Sequence, residues 1–274
     1  MITFAVVGHN EAALLNNALE QAYAASGPGD SVWFVDSAST DGSGELARSH
    51  GTKVVRAPFG KGRAVAAAIE HCQTEHICLL DADIESTTRN APETLRRALE
   101  RTGADMVVGE FDWPDKPFRP VTHSIWAPLV RVLFPEVAAS FRRMPLSGFR
   151  IFDVALARGP LPPGYGVEVH LNILGSLDGR RTETADIGTY SGPIRGNPGL
   201  PEEVAAAILD TAESCGRLDA GARASWDEWL EPVLALIGET GADDKLRRRM
   251  LTDAAARPLP EGGPAGALTN LGGA

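Results

Sequence analysis

Two apolar runs that end in carboxylates constrain this chain more than any other feature of it. SVWFVD ends at Asp36, and HICLLDAD ends at Asp81 and Asp83. Each run has the length and composition of a buried strand. Parallel strands deliver the side chains at their carboxyl ends to one crevice. An acid there can bind a ribose, and two acids spaced two residues apart can face one cation. The pattern predicts a site for a nucleotide diphosphate held partly through a metal ion.

Strands and helices alternate through the first hundred residues, as in βαβ units. We predict strands over 2–8, 31–36, 52–57, 76–83 and 105–111, with helices over 10–25, 41–50, 63–72 and 92–101. After 112 the pattern changes to a proline-rich segment, an amphipathic segment over 121–133, a returning strand in 145–153, a helix after GYGVE and a last strand over 182–190. Helical patterns occupy 201–256. These elements predict an α/β fold whose mostly parallel, Rossmann-like sheet is flanked by helices and followed by a C-terminal helical extension.

The composition and the pattern of predicted elements divide the chain into four expected parts. Residues 1–111 are expected to form the nucleotide-binding half of one domain, and residues 112–200 its second half. Residues 201–256 form C-terminal helices, and 257–274 is expected to be disordered because it has little to bury. Trp226, Trp229 and Leu230 lie on apolar helix faces that predict either a homodimer contact or packing onto their own chain, and we favour the packing.

Composition excludes several classes of partner. The formal net charge of −10 argues against nucleic acid and against an anionic membrane. The three cysteines have no CxxC spacing, which predicts reduced thiols. The sequence opens directly on an apolar strand without a basic leader and has no long apolar segment, so we expect a cytoplasmic protein.

Other polar residues follow the predicted strands. Glu11 follows the first strand, where it can be either a ligand residue or an acid at a helix start. Ser37 follows Asp36, where small polar residues suit a nucleoside but also build ordinary turns. Lys61 lies in a GKG loop that offers one positive charge to a diphosphate, although a solvated turn is the alternative. Asp81 and Asp83 form the most specific short motif because they end a strongly apolar strand.

Taken together, these motifs resemble a known family. VVGHNE, VDSASTDGS, GKGRA and LLDADI occur in the order found in family 2-like glycosyltransferases of the GT-A fold. PLSGF and PPGYGVEVHL further resemble segments of the retaining glucosyl-3-phosphoglycerate synthases and their mannosyl relatives. The resemblance covers roughly residues 2–200, and it implies that residues 1–111 bind the nucleotide sugar and that residues 112–200 form the acceptor-binding half of the same domain. It implies transfer of a sugar, with retention, from a UDP or GDP sugar to a small-molecule acceptor, assisted by Mg²⁺ or Mn²⁺.

The resemblance also implies roles for individual residues. Catalysis is expected to depend on Lys61, Asp83 and Glu168, and the metal to bind Asp83 with Asp81. The nucleotide is expected to contact Glu11, Asp36, Ser37, Lys61 and Asp81. The sugar and the acceptor are expected to contact Arg119, Thr122, Ser147, Gly148, Tyr165 and Glu168.

The chain departs from the family pattern in two places. The family carries a metal-binding His shortly after its last strand, whereas this chain has no His after His170. His170 is a poor substitute because it points to a different helix face from Glu168. Metal binding is therefore expected to be weaker, to rely on water, or to be replaced in part by Arg195. In the acceptor segment Pro120 stands where the family has an Arg, so 3-phosphoglycerate is not the expected acceptor.

Two other functions remain open from the sequence. A sugar nucleotidyltransferase would need a Gly-rich basic loop after the first strand, and VVGHNEAA has none. A dehydrogenase is weaker still because no GxGxxG follows a strand. A degenerate sugar-nucleotide-binding or scaffold protein is compatible with the missing His, although the intact Lys61, Asp81 and Asp83 argue against it.

Overall fold

The computed structural model describes residues 1–115, 118–197, 199–238 and 244–260. Its contacts divide the chain into two compact units. One unit comprises Met1–Pro117 and Ser140–Gly196, and the other comprises Phe118–Ala139 and Asn197–Ala274. No helix in the described ranges is long and apolar enough to cross a membrane.

The first unit holds all the described strands, which form one eight-stranded sheet. The strands are β1 (Ile2–Gly8), β2 (Ser31–Ser37), β3 (Lys53–Ala57), β4 (His76–Asp81), β5 (Ser86–Thr87), β6 (Met106–Asp112), β7 (Arg150–Asp153) and β8 (Thr182–Ser191). They lie in the order β3-β2-β1-β4-β7-β6-β8-β5. Neighbours β3, β2, β1 and β4 are parallel, as are β6 and β8, whereas β7 runs antiparallel to β4 and β6. The predicted mostly parallel sheet is confirmed.

The helices of this unit cover the sheet on both faces. They are α1 (Leu15–Ala25), α2 (Ser43–Ser49), α3 (Lys61–His71), α4 (Ala91–Thr102) and, further along the chain, α7 (Gly166–Leu174). Alternation along β1 explains the two layers, because successive side chains point to opposite faces. Phe4 and Val6 join the core that includes the buried residues of α1, whereas Ala5 and Val7 join the core that includes those of α3. A strand that is apolar on both faces is typical of a parallel sheet covered by helices.

Two local differences from the predicted elements lie beside the strand ends. Helix α1 begins at Leu15 and not at Asn10, because Asn10 has a left-handed φ of 57° and the carbonyl of Glu11 accepts the N–H groups of Leu14 and Leu15 in a preceding turn. Helix α3 begins at Lys61, two residues before the predicted start. Both differences leave Glu11 and Lys61 at element boundaries, which is where a polar side chain can reach a crevice.

The second unit is helical in its described part. It contains a π-helical turn (Thr122–Trp126), α5 (Ala127–Leu133), α6 (Pro135–Ala138), α8 (Leu200–Ser214), α9 (Ala220–Gly238) and α10 (Asp244–Ala255). Helices α8, α9 and α10 each contact the 122–126 turn. Trp226, Trp229 and Leu230 are buried, so these side chains do not offer the exposed homodimer face that was one of the two expectations. Of the stretch expected to be disordered, 261–274 lies outside the described residues, and Arg257 bonds the carbonyls of Ala254 and Trp229.

Candidate active site

The carboxyl ends of three neighbouring parallel strands bring the predicted donor-site residues to one edge of the sheet. Strand β1 lies between β2 and β4, with Gly8 in register with Asp36 and Val7 in register with Asp81. The residues that follow these strands therefore meet at one edge. The described structure places Glu11, Asp36, Ser37, Lys61, Asp81 and Asp83 there, as the sequence predicts, together with Glu168.

A tight turn after β2 fixes Asp36 and Ser37. The Asp36 carboxylate accepts the backbone N–H of Ser39 at 2.8 Å, and Ala38 between them adopts a left-handed φ of 59°. Such a conformation is unfavourable for a residue with a Cβ and occurs most often at functional sites. The Ser37 hydroxyl accepts the N–H of Gly60 at 3.0 Å, which ties this turn to the loop before α3.

The loop before α3 lies against the segment before α7. The N–H of Arg63 donates to the carbonyl of Pro163 at 3.0 Å. A Cβ at Gly62 would lie only 1.8 Å from the carbonyl oxygen of Pro162. Glycine is required at this position because any side chain would separate the two segments. The close approach aligns the first turn of α3, which carries Lys61, with the first turn of α7.

Lys61 is the cation at the centre of the cluster. Its Nζ lies 2.8 Å from Oδ1 of Asp81 and 2.5 Å from Oε1 of Glu168. Burial alone would lower the pKa of Lys61, but the two carboxylates raise it well above its ordinary value. The lysine is therefore a permanent ammonium. Its ammonium contacts two carboxylates in this structure, so a diphosphate would have to displace one of them or bind Lys61 alongside both.

The two acids of the DAD motif lie in different environments. Asp81 is paired with Lys61, and a Cβ at Gly148 would lie 2.0 Å from its Oδ2, so the backbone of Gly148 closes its other side. Within the described residues no hydrogen-bond or ion-pair partner meets the carboxylate of Asp83. Burial raises the pKa of Asp83 to about 6, and the carboxylates of Asp81 and Glu11 act in the same direction. Asp83 is thus the open acid of the pair.

Glu11 is held by an arginine from the other end of the unit. Both terminal nitrogens of the Arg195 guanidinium, Nη1 and Nη2, contact the Glu11 carboxylate, with Nη2 donating to Oε2 at 2.8 Å. Arg195 follows β8, and it also lowers the pKa of Asp83 through its charge, although less than the neighbouring acids raise it. Arg195 lies in the region after the last strand where the family pattern has a metal-binding His, and its charge lies beside the acidic cluster.

Glu168 belongs to this cluster through a network that the sequence did not predict. The Glu168 side chain is buried, whereas an acid in the first turn of a helix could equally face solvent. Beneath it lies Arg150, which has no exposed surface and donates to the backbone carbonyls of Glu168 and Ser147. The sequence did contain a signal for this network, an arginine at the start of the apolar strand segment RIFD. Because arginine is almost never fully buried unless it is paired, an arginine in a buried strand indicates that partners lie nearby.

The remaining predicted residues fall in two places. Ser147 is buried in the first unit, and Tyr165 immediately precedes α7. Arg119 and Thr122 belong to the second unit, where the carbonyl of Arg119 accepts the N–H of His123 at 3.0 Å. Their roles toward an acceptor stay a prediction. His170 is half-buried, and burial lowers its pKa.

The donor set fits a divalent cation through Asp83 first. A half-buried carboxylate that lies beside two other acids, and that no cation of the described residues contacts directly, is a favourable ligand for Mg²⁺ or Mn²⁺. The described residues contain no group of three or more His, Cys, Asp or Glu side chains that could hold a metal ion by themselves. A cation here would need further oxygen ligands from a phosphate or from water.

The fold and this cluster define an α/β protein with a group of charged side chains at the carboxyl edge of a mostly parallel sheet. Residues 3–159, more than half of the chain, match the model of glycosyl transferase family 2. The chain belongs to glycosyl transferase family 2, and the resemblance in its motifs is confirmed.

Known relatives agree with this membership. Glycosyltransferase AglJ of Haloferax volcanii is 28% identical over 167 residues, which are 59% of this chain and 54% of that protein. The chain thus spans about half the length of this curated relative.

Among solved structures, mannosyl-3-phosphoglycerate synthase from Rubrobacter xylanophilus has a TM-score of 0.69 at 22% identity, covering 80% of this chain and 76% of that one. Glucosyl-3-phosphoglycerate synthase from Mycobacterium tuberculosis, in complex with Mn²⁺, UDP-glucose and phosphoglyceric acid, has a TM-score of 0.66 at 22% identity, covering 81% and 82%. At these identities the likeness shows the GT-A type of fold.

Proposed function

We propose that this protein is a glycosyltransferase that moves a sugar from a nucleotide diphosphate sugar to a small-molecule acceptor, with retention of configuration and with the help of a divalent metal. The observation that carries the proposal is the cluster at the carboxyl edge of β1, β2 and β4. It combines an open acid, Asp83, with an ammonium, Lys61, within one group of interacting charges. Family membership supports the same reaction class.

In this proposal the nucleoside binds at the ends of β1 and β2. Asp36 accepts hydrogen bonds from ribose hydroxyls, and Ser37 bonds the edge of the base. Glu11 contributes a third polar group to the nucleoside. It does so either after Arg195 moves away from its carboxylate or with Arg195 bonded to both Glu11 and the donor. The rigid turn at Ala38 supports these roles because it holds Asp36 and Ser37 in place before a ligand arrives.

The diphosphate binds between Lys61 and Asp83. Sugar transfer builds negative charge on the leaving diphosphate, and positive groups aimed at that charge lower the barrier. Lys61 is charged at any physiological pH and lies at the start of α3, where helix N–H groups also favour an anion. A bound Mg²⁺ or Mn²⁺ would supply further positive charge there, with Asp83 as its protein ligand and Asp81 behind it. The solved Mycobacterium tuberculosis relative is a complex with Mn²⁺, which supports this choice of ions.

The position of Glu168 favours retention. An inverting enzyme needs a carboxylate base within hydrogen-bond reach of the acceptor hydroxyl. Glu168 is the first candidate for such a base, but its Oε1 is 2.5 Å from the ammonium of Lys61 and its side chain is buried. Paired in this way it suits a residue that orients Lys61 and the sugar, with the leaving diphosphate accepting the proton of the acceptor.

The proposed acceptor is a small hydroxyl-, amine- or thiol-bearing molecule other than 3-phosphoglycerate, such as a compatible-solute precursor or a natural-product intermediate. Pro120 carries neither a charge nor a backbone N–H, so it cannot donate to a phosphate. Incubation with donor, Mn²⁺ and 3-phosphoglycerate should give no glycosylated acid by mass spectrometry. Efficient turnover of 3-phosphoglycerate would show this part of the proposal to be wrong.

A thermal-shift panel tests the donor site. UDP, GDP, ADP and dTDP are each added with Mg²⁺, with Mn²⁺ or with EDTA. A ligand at one hundred times its Kd adds about 2.7 kcal/mol to the free energy of unfolding. One diphosphate is expected to raise the melting temperature with metal and much less without it. The same ligand should not stabilise Asp83→Ala.

The second candidate function, a sugar-nucleotide-binding protein without catalysis, is distinguished by measuring donor hydrolysis and sugar transfer. It would bind the same diphosphate but would neither hydrolyse nor transfer the sugar of any donor during prolonged incubation. A chain that no diphosphate stabilises would contradict both candidates.

A further inference from the structure

Arg150 is the most completely buried charged residue of the described chain. It opens β7 and is followed by the buried Ile151 and Phe152, and its side chain has no exposed surface. Burying a guanidinium in such surroundings is costly unless its donors are satisfied. An arginine kept in this place therefore needs an explanation from what it contacts.

The guanidinium joins two separate segments of the first unit. Its Nη1 donates to the carbonyl of Glu168 at 3.0 Å and to Oδ1 of Asn172 at 3.1 Å, and its Nη2 donates to the carbonyl of Ser147. Asn172 returns to the same segment, because its Nδ2 donates to the carbonyl of Pro145 at 2.6 Å. The result is a buried network between the loop 145–148 and helix α7, in which both Nη atoms of Arg150 are bonded and its Nε has no hydrogen-bond partner among the described residues.

Both segments reach the charged cluster on their other side. The loop places Gly148 directly against the Asp81 carboxylate, and α7 places Glu168 on Lys61. Lys61 and Asp81 are themselves paired at 2.8 Å. Arg150 thus lies behind a continuous series of contacts, and a change in the spacing of the two segments must move the ammonium relative to Asp81.

Charge supports the same arrangement. Burial lowers the pKa of Arg150, while the carboxylates of Glu168 and Asp81 act in the opposite direction. Arg150 therefore places a positive charge on the inner side of both acids that hold Lys61. A planar guanidinium can donate to several acceptors at once, which a single ammonium in the same place cannot do.

We propose that Arg150 is a positioning residue for sugar transfer: its hydrogen bonds to the 145–148 loop and to α7 hold Gly148 and Glu168 so that Lys61 stays fixed beside Asp81. The inference rests on the proposed function for its catalytic consequence. Arg150 itself touches neither donor nor acceptor. Its contacts lie away from Glu11, Asp36 and Ser37, so binding of the nucleoside part of the donor should not depend on it.

The kinetic test compares Arg150→Met and Arg150→Lys with the control Arg158→Met, which changes an exposed arginine of the same unit. We expect kcat to fall about 100-fold in Arg150→Met, the size of effect that a misplacement of about 1 Å produces. Arg150→Lys should keep part of the lost rate. The Kd for the free nucleoside, which lacks the diphosphate that Lys61 contacts in the proposed function, should change by less than about threefold, since the contacts of Glu11, Asp36 and Ser37 are untouched. A purely structural role would lower the folded fraction and leave kcat per folded molecule unchanged, which would overturn the proposal.

A spectroscopic test does not depend on turnover. The chain has only four lysines, Lys53, Lys61, Lys116 and Lys245, so the ammonium signals in a ¹H–¹⁵N NMR spectrum can be assigned with Lys61→Met. The Lys61 signal should shift or broaden in Arg150→Met and in Arg150→Lys and stay unchanged in Arg158→Met. Asn172→Ala, which removes one arm of the network, should give a smaller change and provides a folded variant if Arg150→Met does not fold.

The outcomes separate the two proposals. A wild-type protein without any transfer activity, but with a Lys61 signal that responds to Arg150, contradicts the proposed function and keeps the positioning role. An active wild type whose Arg150 variants keep kcat within twofold, or keep the Lys61 signal unchanged, contradicts the positioning role alone.

Discussion

Asp83 should lower the stability of the metal-free protein, and its neutral substitute should therefore raise it. Burial, followed by the charges of Asp81 and Glu11, raises the pKa of Asp83 from 3.8 to about 6. At about 1.36 kcal/mol per unit of pKa, the ionised form costs at most about 3 kcal/mol. Asp83→Asn removes this charge, so we expect the variant to unfold about 6 to 12 °C higher than the wild type in EDTA at pH 7.5.

The sign of the pH dependence follows from linkage. An acid whose pKa is higher in the folded state costs nothing below the unfolded pKa of 3.8, and its cost grows until the pH passes the folded pKa of about 6. The stability gap between Asp83→Asn and the wild type should therefore be about 3 kcal/mol at pH 7.5 and about 1.6 kcal/mol at pH 5. The measurement is chemical unfolding at both pH values in EDTA.

The control is Asp178→Asn, the same change at an exposed acid whose left-handed φ of 55° also suits asparagine. It should alter stability by less than about 0.5 kcal/mol at either pH. A variant Asp83→Asn that is no more stable than the wild type, or whose advantage is the same at pH 5 and pH 7.5, would refute the view that Asp83 is a half-buried acid whose ionised form is disfavoured in the metal-free protein.

Two further substitutions test the rest of the cluster. Gly148→Ala should lower activity at least about 100-fold and stability by about 1–3 kcal/mol, because the new Cβ would lie 2.0 Å from the Asp81 carboxylate. The control Gly159→Ala should change neither quantity, since its Cβ meets no atom within 4 Å. Equal kinetics and equal melting temperatures for the two variants would contradict the contact between Gly148 and Asp81. Lys61→Met should destabilise by about 3–5 kcal/mol, because it leaves the buried Glu168 and the half-buried Asp81 without their shared cation. Unfolding titrations that give a loss below about 1 kcal/mol would show that this ion pair is not formed.

Much of the fold follows from local patterns in the sequence. Apolar runs such as ITFAVVG and SVWFVD become the buried strands β1 and β2 at nearly the predicted bounds, because strands apolar on both faces have few alternatives in a covered parallel sheet. Because β2, β1 and β4 are parallel, their carboxyl ends lie at the same edge of the sheet, and this places Asp36 and Asp81 at one edge. These inferences need only periodicity and the direction of the strands.

Contacts between distant segments could not be predicted in this way. The pairing of Arg195 with Glu11 joins residues 184 positions apart, and nothing local in either segment specifies it. Glu168 was recognised from a motif, but its pairing with Lys61 depends on how closely α7 approaches α3, which Gly62 permits. Arg150 was missed because a strand pattern reports which residues are buried and not which partners satisfy a buried charge.

The most direct test of the whole account follows the fate of the donor. Wild type and Asp83→Asn are incubated with Mn²⁺, a mixture of small hydroxylated acceptors and each of a panel of UDP, GDP, ADP and dTDP sugars, and the released nucleoside diphosphate is measured by chromatography. The account predicts that the wild type consumes one class of donor and that Asp83→Asn, although folded and more stable, releases at least about 100-fold less. Consumption of no donor by the wild type, or equal consumption by both proteins, would contradict it.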